Sequence, residues 1–589
     1  MAKKEKLFIP SKYQEVIFDF IQHKEGNLVV EASAGSGKTT TMVKALEFID
    51  PSKKVLFCAF NKDIVKELKK RTKKYENVNV STIHGLGYLT VLSNCPQVSK
   101  IPNQHKYWSH LIKHVKDYSS CIGKLTKNKF LKFISNCHKL IEYGRYNLAE
   151  NYSDLQKLVE RHDIVLLGDE INVTLKLMEW GKKNIETIDF GDMVWLPNVL
   201  PMKLNNIKYD FIFVDEAQDM SKAQREFILR CAKLNTRYMF VGDENQAIYS
   251  FSSADPQSFR KLRELPNTIS LPLSVSYRCP HRIIDFVHSY VQNIEPYENA
   301  INGEILYDVE LTDIKDGEMI LCRNNAPLTY LYTEFIRMGK KCTIKGKDIG
   351  NNLINVVKNH DVNGELNISL DKEGLFSNLY EELIHTRNNI MISNGINLNL
   401  AMTTSVISSM LDNIETLKVL CEGLKTTEEL INRIGRIFSD KVSEGIILST
   451  IHKAKGLEAE NVYIACPSLL NKAKGNQQWE IDQEKNLTYV AYTRAKNKLG
   501  FLKEKDFEKN NNKTLILNDI KKVEQKLKIS KEEKLINNLV YGNESSFITE
   551  KPKSIIIPRK GAAKTLGSKP STMTSATKSF SDILRKKKK

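Results

Sequence analysis

Short apolar, β-branched runs alternate along most of this chain with stretches whose apolar residues recur at helical spacing. Val29-Val30-Glu31-Ala32 starts as a buried parallel strand would, and Met42, Val43, Leu46 and Ile49 follow at helical spacing. Tyr13-Gln14 falls on a predicted helix leading into that strand. Further strands are predicted at 54–60 and 78–82, with a helix at about 62–70 between them. The alternation stops from about 86 to 187, where the residues become helix-like and lysine-rich, as in 124–140. It resumes with strands at 209–214, 237–241 and 269–273. A second set of strands is predicted at 318–322, 446–449, 462–465 and 499–502, with a helical, Asn-rich stretch at about 350–440. Strands alternating with helices predict parallel α/β sheets.

Composition narrows the class. The 589 residues exceed what one core supports, and 41% hydrophobic with 27% charged residues is ordinary globular material. The N-terminus has no signal-peptide core and no run of about 18 apolar residues occurs, so a cytoplasmic protein without a membrane span is expected. Abundant Lys, Asn and Ile suggest an AT-rich genome, bacterial or viral. The ten cysteines include no CxxC pair, which argues against a zinc ribbon or an iron–sulfur cluster. His105, His110 and His114 have helical spacings, for which a solvated helix face accounts better than a metal site. Twelve Lys/Arg and a single Asp follow Glu550, giving that tail +11 of the chain's +18 and leaving +7 for the body. Such a tail is expected to be disordered and to favour a polyanionic partner.

The chemistry begins after the first strand. Ala34, Gly35, Ser36, Gly37, Lys38, Thr39 and Thr40 lie between strand and helix, the setting of a phosphate-binding loop. Its glycines let backbone N–H groups wrap a polyphosphate, and the helix N-terminus adds positive potential. Lys38 would reach the β- and γ-phosphates of ATP and the Thr39 hydroxyl would ligate Mg²⁺. Ala32 stands where the loose GxxxxGK[ST] pattern has its first Gly. The strand at 209–214 runs into Asp215-Glu216-Ala217-Gln218-Asp219, placing two acids at a sheet's carboxyl edge. Asp215 would hold Mg²⁺ through its water shell, and Glu216 would orient and deprotonate the attacking water. Gln246, in Gly242-Asp243-Glu244-Asn245-Gln246, can reach a γ-phosphate or a water beside it. Tyr277 offers an aromatic face, and Arg278 and Arg494 each offer a guanidinium. An Arg facing the γ-phosphate accelerates hydrolysis by about 10³–10⁵-fold.

Taken in order, these stretches resemble the superfamily 1 helicases of the UvrD/Rep/PcrA type. The Val214–Asp219 box and Ala59-Phe60-Asn61-Lys62 resemble the F-box DNA helicase branch. Thr450-Ile451-His452-Lys453-Ala454-Lys455-Gly456-Leu457-Glu458 resembles the family's T-x-H-x-x-K-G-x-E motif, and Thr82-Ile83-His84-Gly85 its T-F-H-S motif. The matches span Tyr13 to Lys496. The resemblance implies that Gln14 reads the adenine edge, Tyr277 stacks on the base, and Arg278 and Arg494 are arginine fingers from the two sides of a cleft. Gln246 would couple the γ-phosphate to DNA, and Glu458 would touch the sugar or stabilise its own motif. Phe60, Asn61, His84, Tyr249, Phe251 and His452 would contact single-stranded DNA, where aromatic stacking contributes about 1–3 kcal/mol per base. Phe60, directly after an apolar strand, also suits core packing, and His84 and His452 also suit structural hydrogen bonding. The chain departs from the family at Phe251-Ser252, where a Trp-Arg pair is usual.

The implied fold is two RecA-like P-loop domains with parallel sheets, each carrying a mainly helical insertion. The first comprises 1–85 and 188–275 around an insertion at 86–187. The second comprises 276–349 and 441–505 around an insertion at 350–440. A helical extension at 506–550 and a disordered basic tail at 551–589 complete it. The implied function is ATP- and Mg²⁺-dependent DNA unwinding and translocation, 3′→5′, on single strands and single/double-strand junctions in replication, recombination or repair. The tail, through 579–584, is a candidate for docking a replication or repair protein. Two other classes stay open: a translocase that strips proteins from DNA, and a nucleotide-gated binding module whose ATPase serves as a timer.

Overall fold

A computed structural model describes residues 8–59, 61–114, 118, 127–204, 208–249, 255, 257–366, 370, 373–394, 396–440, 445–470, 478–503 and 517–528. Its frame is a pair of six-stranded parallel sheets. The first contains β1 (Asn27–Ala32), β2 (Val55–Ala59), β3 (Val78–Thr82), β4 (Tyr209–Val214), β5 (Ala232–Gly242) and β6 (Thr268–Leu273). Their order is β3-β2-β4-β5-β1-β6. A two-stranded parallel pair, β7 (Val275–Ser276) with β8 (Glu295–Pro296), follows. The second sheet contains β9 (Glu304–Val309), β10 (Met319–Cys322), β11 (Cys342–Lys345), β12 (Ile446–Thr450), β13 (Ala459–Ile464) and β14 (Ala495–Leu502), ordered β11-β12-β10-β13-β14-β9.

Parallel strands covered on both faces need continuous apolar runs. Every residue of β2, Val-Leu-Phe-Cys-Ala, is buried. In the first sheet Val30 pairs with both Val241 and Leu271. Ile17, Met42, Phe57 and Phe213 cover one face, and Leu56, Ile212, Phe227 and Phe240 the other. The second sheet has the same two-faced packing. One of its clusters, around Leu321, Ile464 and Val490, takes in Ala34 and Ile248 from the first half. The carboxyl ends of β1 to β5 open on one edge, where α/β sheets present ligand-binding loops.

Between β3 and β4 the chain forms helices Ile83–Asn94, Lys106–Lys113, Lys127–Tyr146, Tyr152–Arg161, Glu170–Lys183 and Phe190–Val199. Their polar hub is buried. Arg145 donates from Nη1 to Asp189 (2.6 Å) and Asp192 (2.7 Å), and from Nη2 to Asp189 (2.9 Å). Asp192 also accepts from Lys106 Nζ and the Tyr107 hydroxyl, each at 2.7 Å. A Cβ on Gly191 would sit 2.7 Å from the Arg145 guanidinium, so only glycine permits this approach. The histidine row is not simply solvated. His105 and His114 are exposed, but His110 is half-buried, stacked 3.8 Å from Trp180 and 4.5 Å from His114, because the amphipathic helix turns it toward Trp180.

Between β11 and β12 lie helices Lys347–His360, Leu375–Asn394, Leu398–Met402, Ser405–Leu420 and Thr427–Ile437. Leu353, Phe376, Tyr380, Leu417 and Leu430 join Ile320 and Leu448 in one cluster, so these helices share the second sheet's core. The sequence pattern predicts none of β7, β8, β9 and β11, and β5 begins five residues before its predicted start. Residues 517–528 are helical; the rest of the extension and tail lies outside the described residues. Among the described residues no helix is long and apolar enough to cross a membrane.

Replacing Arg145 with Leu leaves Asp189 and Asp192 short of their buried counter-charge. Breaking a buried pair in this way costs about 3–5 kcal/mol. The expected result is a loss of that size in denaturant-unfolding free energy, against a near-neutral exposed control, Lys157→Ala.

Candidate functional site

After β1 the chain turns through residues 33–37 before helix Lys38–Ala45 begins. Gly35 (φ 74°) and Gly37 (φ 79°) are left-handed, where side chains are disfavoured. A Cβ on Gly35 would fall 2.5 Å from the Arg278 Cβ, so this loop is wedged against the segment after β7. The Ser36 hydroxyl is buried with no protein partner among the described residues, as befits a loop shaped around an external acceptor. The Ala34 N–H is committed to the Tyr489 hydroxyl at 2.9 Å. Thr40 accepts from Arg71 Nη2 at 3.0 Å.

Two acids follow β4. The Thr39 hydroxyl donates to Asp215 Oδ2 at 2.8 Å, and Lys38 Nζ stands 2.9 Å from Glu216 Oε1. Glu216 has φ 53°, a conformation that costs a non-glycine residue about 1–3 kcal/mol and clusters at functional sites. Its N–H donates to Asp215 Oδ1 at 2.9 Å. From Glu216 a polar chain crosses to the second half. Gln218 Nε2 donates to Glu216 Oε2 (2.6 Å), and Gln218 Oε1 accepts from the Asp243 N–H (3.1 Å). Gln246 Nε2 donates to Asp243 Oδ2 (2.6 Å), and Arg494 Nη2 to Gln246 Oε1 (3.3 Å).

Burial shapes the ionisation of this site. It pushes the Asp215 carboxyl up, as does neighbouring Glu216. Burial works against Glu216 too, but Lys38 and Lys455 prevail and hold it below the usual carboxylate range. Burial also opposes the Lys38 charge, which Glu216, Asp215 and Asp243 more than restore. The Arg494 guanidinium, fully buried and near Arg278, drops to about 10 and stays cationic at neutral pH. The result is an ionised carboxylate beside a lysine, and a buried arginine whose charge could meet a phosphate.

Gln14 and Tyr277 flank Gly37. The Gln14 amide nitrogen and Tyr277 Cδ2 each lie 3.9 Å from where a Gly37 Cβ would be. Gln14 donates to the Thr41 hydroxyl at 2.8 Å, while its amide oxygen accepts from the Ser11 N–H in a capping box. Tyr277 is 44% exposed, leaving ring surface for a base, and its ring lies 5.0 Å from that of Tyr297. Arg278 Nε is bound to Glu458 Oε2 at 2.7 Å, and Glu458 also meets Lys496 at 2.6 Å. Glu458 thus joins Arg278, after β7, to Lys496 of β14.

Of the residues implied for DNA contact, Phe60 and Phe251 lie outside the described residues. Asn61 caps helix Lys62–Arg71, its side-chain oxygen accepting from the N–H groups of Asp63 (3.0 Å) and Ile64 (2.9 Å). His84 Nε2 is 3.1 Å from the Tyr146 hydroxyl, and His84, Glu216 and Asp219 line one small cavity. The Tyr249 hydroxyl donates to the His452 carbonyl at 3.2 Å across the two halves.

A family model of the UvrD/REP helicase N-terminal domain matches residues 15–267, and one of the UvrD-like helicase C-terminal domain matches 445–502. The chain belongs to the UvrD/Rep helicase family. The ATP-dependent DNA helicase Rep of Buchnera aphidicola subsp. Acyrthosiphon pisum is 22% identical over 82% of this chain and 93% of that protein. The ATP-dependent DNA helicase PcrA of Staphylococcus aureus strain Mu50 is 24% identical over 51% of this chain, which spans only 44% of that relative's length. The two sheets are the two RecA-like halves of this family.

The sequence reading left several residues of this UvrD/Rep-family site without a role. Asp243 receives Gln246, Gln218 bridges Glu216 to the loop after β5, and Tyr489 and Asn486 reach across to the first half. Gln218 and Asp243 stand inside the strand-end stretches that the sequence singles out, whereas Asn486 and Tyr489 lie on helix Gln478–Tyr492, just before Arg494. Only their partners were missing.

Burial lowers the His84 pKa to about 4, with nearby Asp189 opposing. An unfolded chain binds that proton near pH 6.5, so the unfolded state gains protons first as pH falls and stability drops between about 6.5 and 4. In His84→Gln the melting temperature should fall less steeply between pH 7 and pH 5 than in the native chain.

Proposed function

We propose that this chain is an ATP-dependent DNA helicase and translocase that moves 3′→5′ on single-stranded DNA. The observation that carries the reading is the polar chain from Lys38 through Glu216, Gln218, Asp243 and Gln246 to Arg494, which joins the phosphate loop to the opposite half. In this reading ATP lies between the halves, its phosphates on residues 35–39, its base beside Gln14 and Tyr277. The Thr39 hydroxyl and Asp215 carboxylate, 2.8 Å apart, are hard oxygen donors that fit Mg²⁺. That ion would neutralise charge on the β- and γ-phosphates.

Glu216, held ionised by Lys38 and Lys455, takes the proton of the attacking water. Gln246 senses the γ-phosphate, while Arg494 and Arg278 supply positive charge from the far side. Arg278 must release Glu458 to do so, which closure of the halves around a nucleotide favours by presenting a stronger anion. Hydrolysis removes that anion and lets the halves part. A strand held across both halves near Tyr249, His84 and His452 then advances with each cycle. The reading accords with relatives named as ATP-dependent DNA helicases Rep and PcrA. The +11 tail supplies added nucleic-acid affinity or a docking peptide for a replication or repair protein.

The test is ATPase activity with and without single-stranded DNA, beside unwinding of duplexes with 3′ or 5′ tails. DNA-stimulated turnover with unwinding confined to the 3′ tail is expected; turnover indifferent to DNA would point instead to a nucleotide-gated module. Lys38→Ala should abolish turnover while the fold survives in thermal unfolding. Glu216→Gln should keep nucleotide binding but lose about 10²–10⁴-fold in kcat, because the amide cannot accept the water's proton. Arg494→Ala should lower kcat at saturating ATP and DNA by up to about 10³-fold, though it lies in the second half.

A further inference from the structure

Thr41 lies in the first turn of the helix after the phosphate loop, fully buried and outside the residues assigned to the nucleotide. Its hydroxyl stands between two polar groups. It donates to the Gly37 carbonyl at 3.0 Å and accepts from Gln14 Nε2 at 2.8 Å. On its other side the Gln14 amide is held as well, Oε1 accepting from the Ser11 N–H at 2.9 Å. Gln14 is buried, so little water reaches either contact. The helix that carries it is also pinned. Tyr13 donates to Glu295 on β8, the strand paired with β7 immediately before Tyr277.

These partners leave the amide one orientation. A carbonyl only accepts, so the Thr41 proton goes to Gly37 and the hydroxyl oxygen is left to accept from an N–H. A backbone N–H only donates, so Ser11 requires the amide oxygen. Turned over, the amide would set Oε1 against an oxygen whose proton is already committed, and Nε2 against the Ser11 N–H. Both groups would then be buried and unsatisfied. Held as it is, Gln14 has one N–H and one carbonyl lone pair to spare, side by side. Adenine shows its N7 acceptor beside an N6–H donor, whereas guanine shows two acceptors, N7 and O6. The fixed amide matches the first and opposes the second. An amide free to turn could offer its NH₂ group to O6 and take either base.

We propose that Thr41 is a positioning residue that fixes the Gln14 amide and so makes the nucleotide site prefer adenine to guanine. This rests on the reading that places the base beside Gln14 and Tyr277. Thr41 does not touch the base; it acts through Gln14, and the Gly37 carbonyl sets the direction of its proton. Gly37 belongs to the loop that wraps the phosphates, so the same turn that receives one end of the nucleotide orients the group that reads the other.

The experiment measures kcat and KM for ATP and for GTP, at saturating oligo-dT, in the full-length native chain and in Thr41→Val, Thr41→Ser and Gln14→Ala, with thermal unfolding of each. The native chain should favour ATP in kcat/KM. Thr41→Val keeps the shape and removes the hydroxyl; its ATP-to-GTP ratio should fall about tenfold, through KM more than through kcat. Thr41→Ser restores the hydroxyl and should keep the native ratio. A helix merely loosened by substitution would slow both nucleotides alike and leave the ratio where it was. A native ratio in folded Thr41→Val, or a lost ratio in folded Thr41→Ser, overturns the proposal. Should Thr41→Val fail to fold, Thr41→Ala takes its place with the same two outcomes. Gln14→Ala is the control for the underlying reading. If Gln14→Ala keeps the native ratio, the base is not read there and the placement of the nucleotide fails; if it loses the ratio while Thr41→Val keeps it, only the positioning role fails.

Discussion

Asp215, Asp219 and Asp243 are buried in one polar pocket, with Glu216 partly covered beside them. Carboxylates removed from water need counter-charge and hydrogen bonds within a few ångströms, or they protonate. Here the counter-charge comes from both halves of the molecule. Lys38 supplies it from the phosphate loop, and Lys455 and Arg494 from beyond the cleft. Neither half by itself balances the pocket, so the ionisation of Glu216 and the separation of the two sheets are one physical problem. Gln218 and Gln246 suit the places between these charges because an amide donates on one side and accepts on the other.

The sheets make such an arrangement possible. Parallel strands send every carboxyl end to one edge, so loops distant in sequence meet there without long excursions. The phosphate loop, the acids after β4 and the loop after β5 come together in this way. The helices between β3 and β4 are tied to the same edge. Tyr146 meets His84, and its neighbour Arg145 anchors the buried cluster of Asp189 and Asp192. A change at His84 therefore acts on a helix that carries Arg145 and packs through Phe133, Ile134 and Ile141 in an apolar cluster. The second set of helices is anchored differently, by apolar packing continuous with the second sheet.

Much of the frame was legible because buried parallel strands leave apolar runs that few other structures produce. β1, β2, β4 and β10 were read within a residue or two. Of the strands missed, β7 and β8 are two residues each, and β9 and β11 end the second sheet on either side. β9 keeps Glu304, Tyr307 and Asp308 exposed, and β11 is only four residues long. Edge strands need one covered face and one hydrogen-bonded neighbour, so their apolar signal is diluted. His110 failed for a related reason: spacing placed it on a helix face but could not say that Trp180, seventy residues on, lies over it.

The sequence by itself determined the strand–loop–helix at Lys38, the acids after β4, and the two-halved plan, since each rests on residues adjacent in the chain. Local periodicity and strand-end chemistry are short-range properties. Only the tertiary structure decided which charge meets which. That Ala34 gives its N–H to Tyr489, that Arg278 rests on Glu458, and that Lys455 reaches Asp219 and Gln246 are matters of separations of more than 170 residues. Electrostatic attraction and hydrogen bonding act over a few ångströms of space, whatever the distance along the chain, and burial then fixes the protonation of the groups so joined.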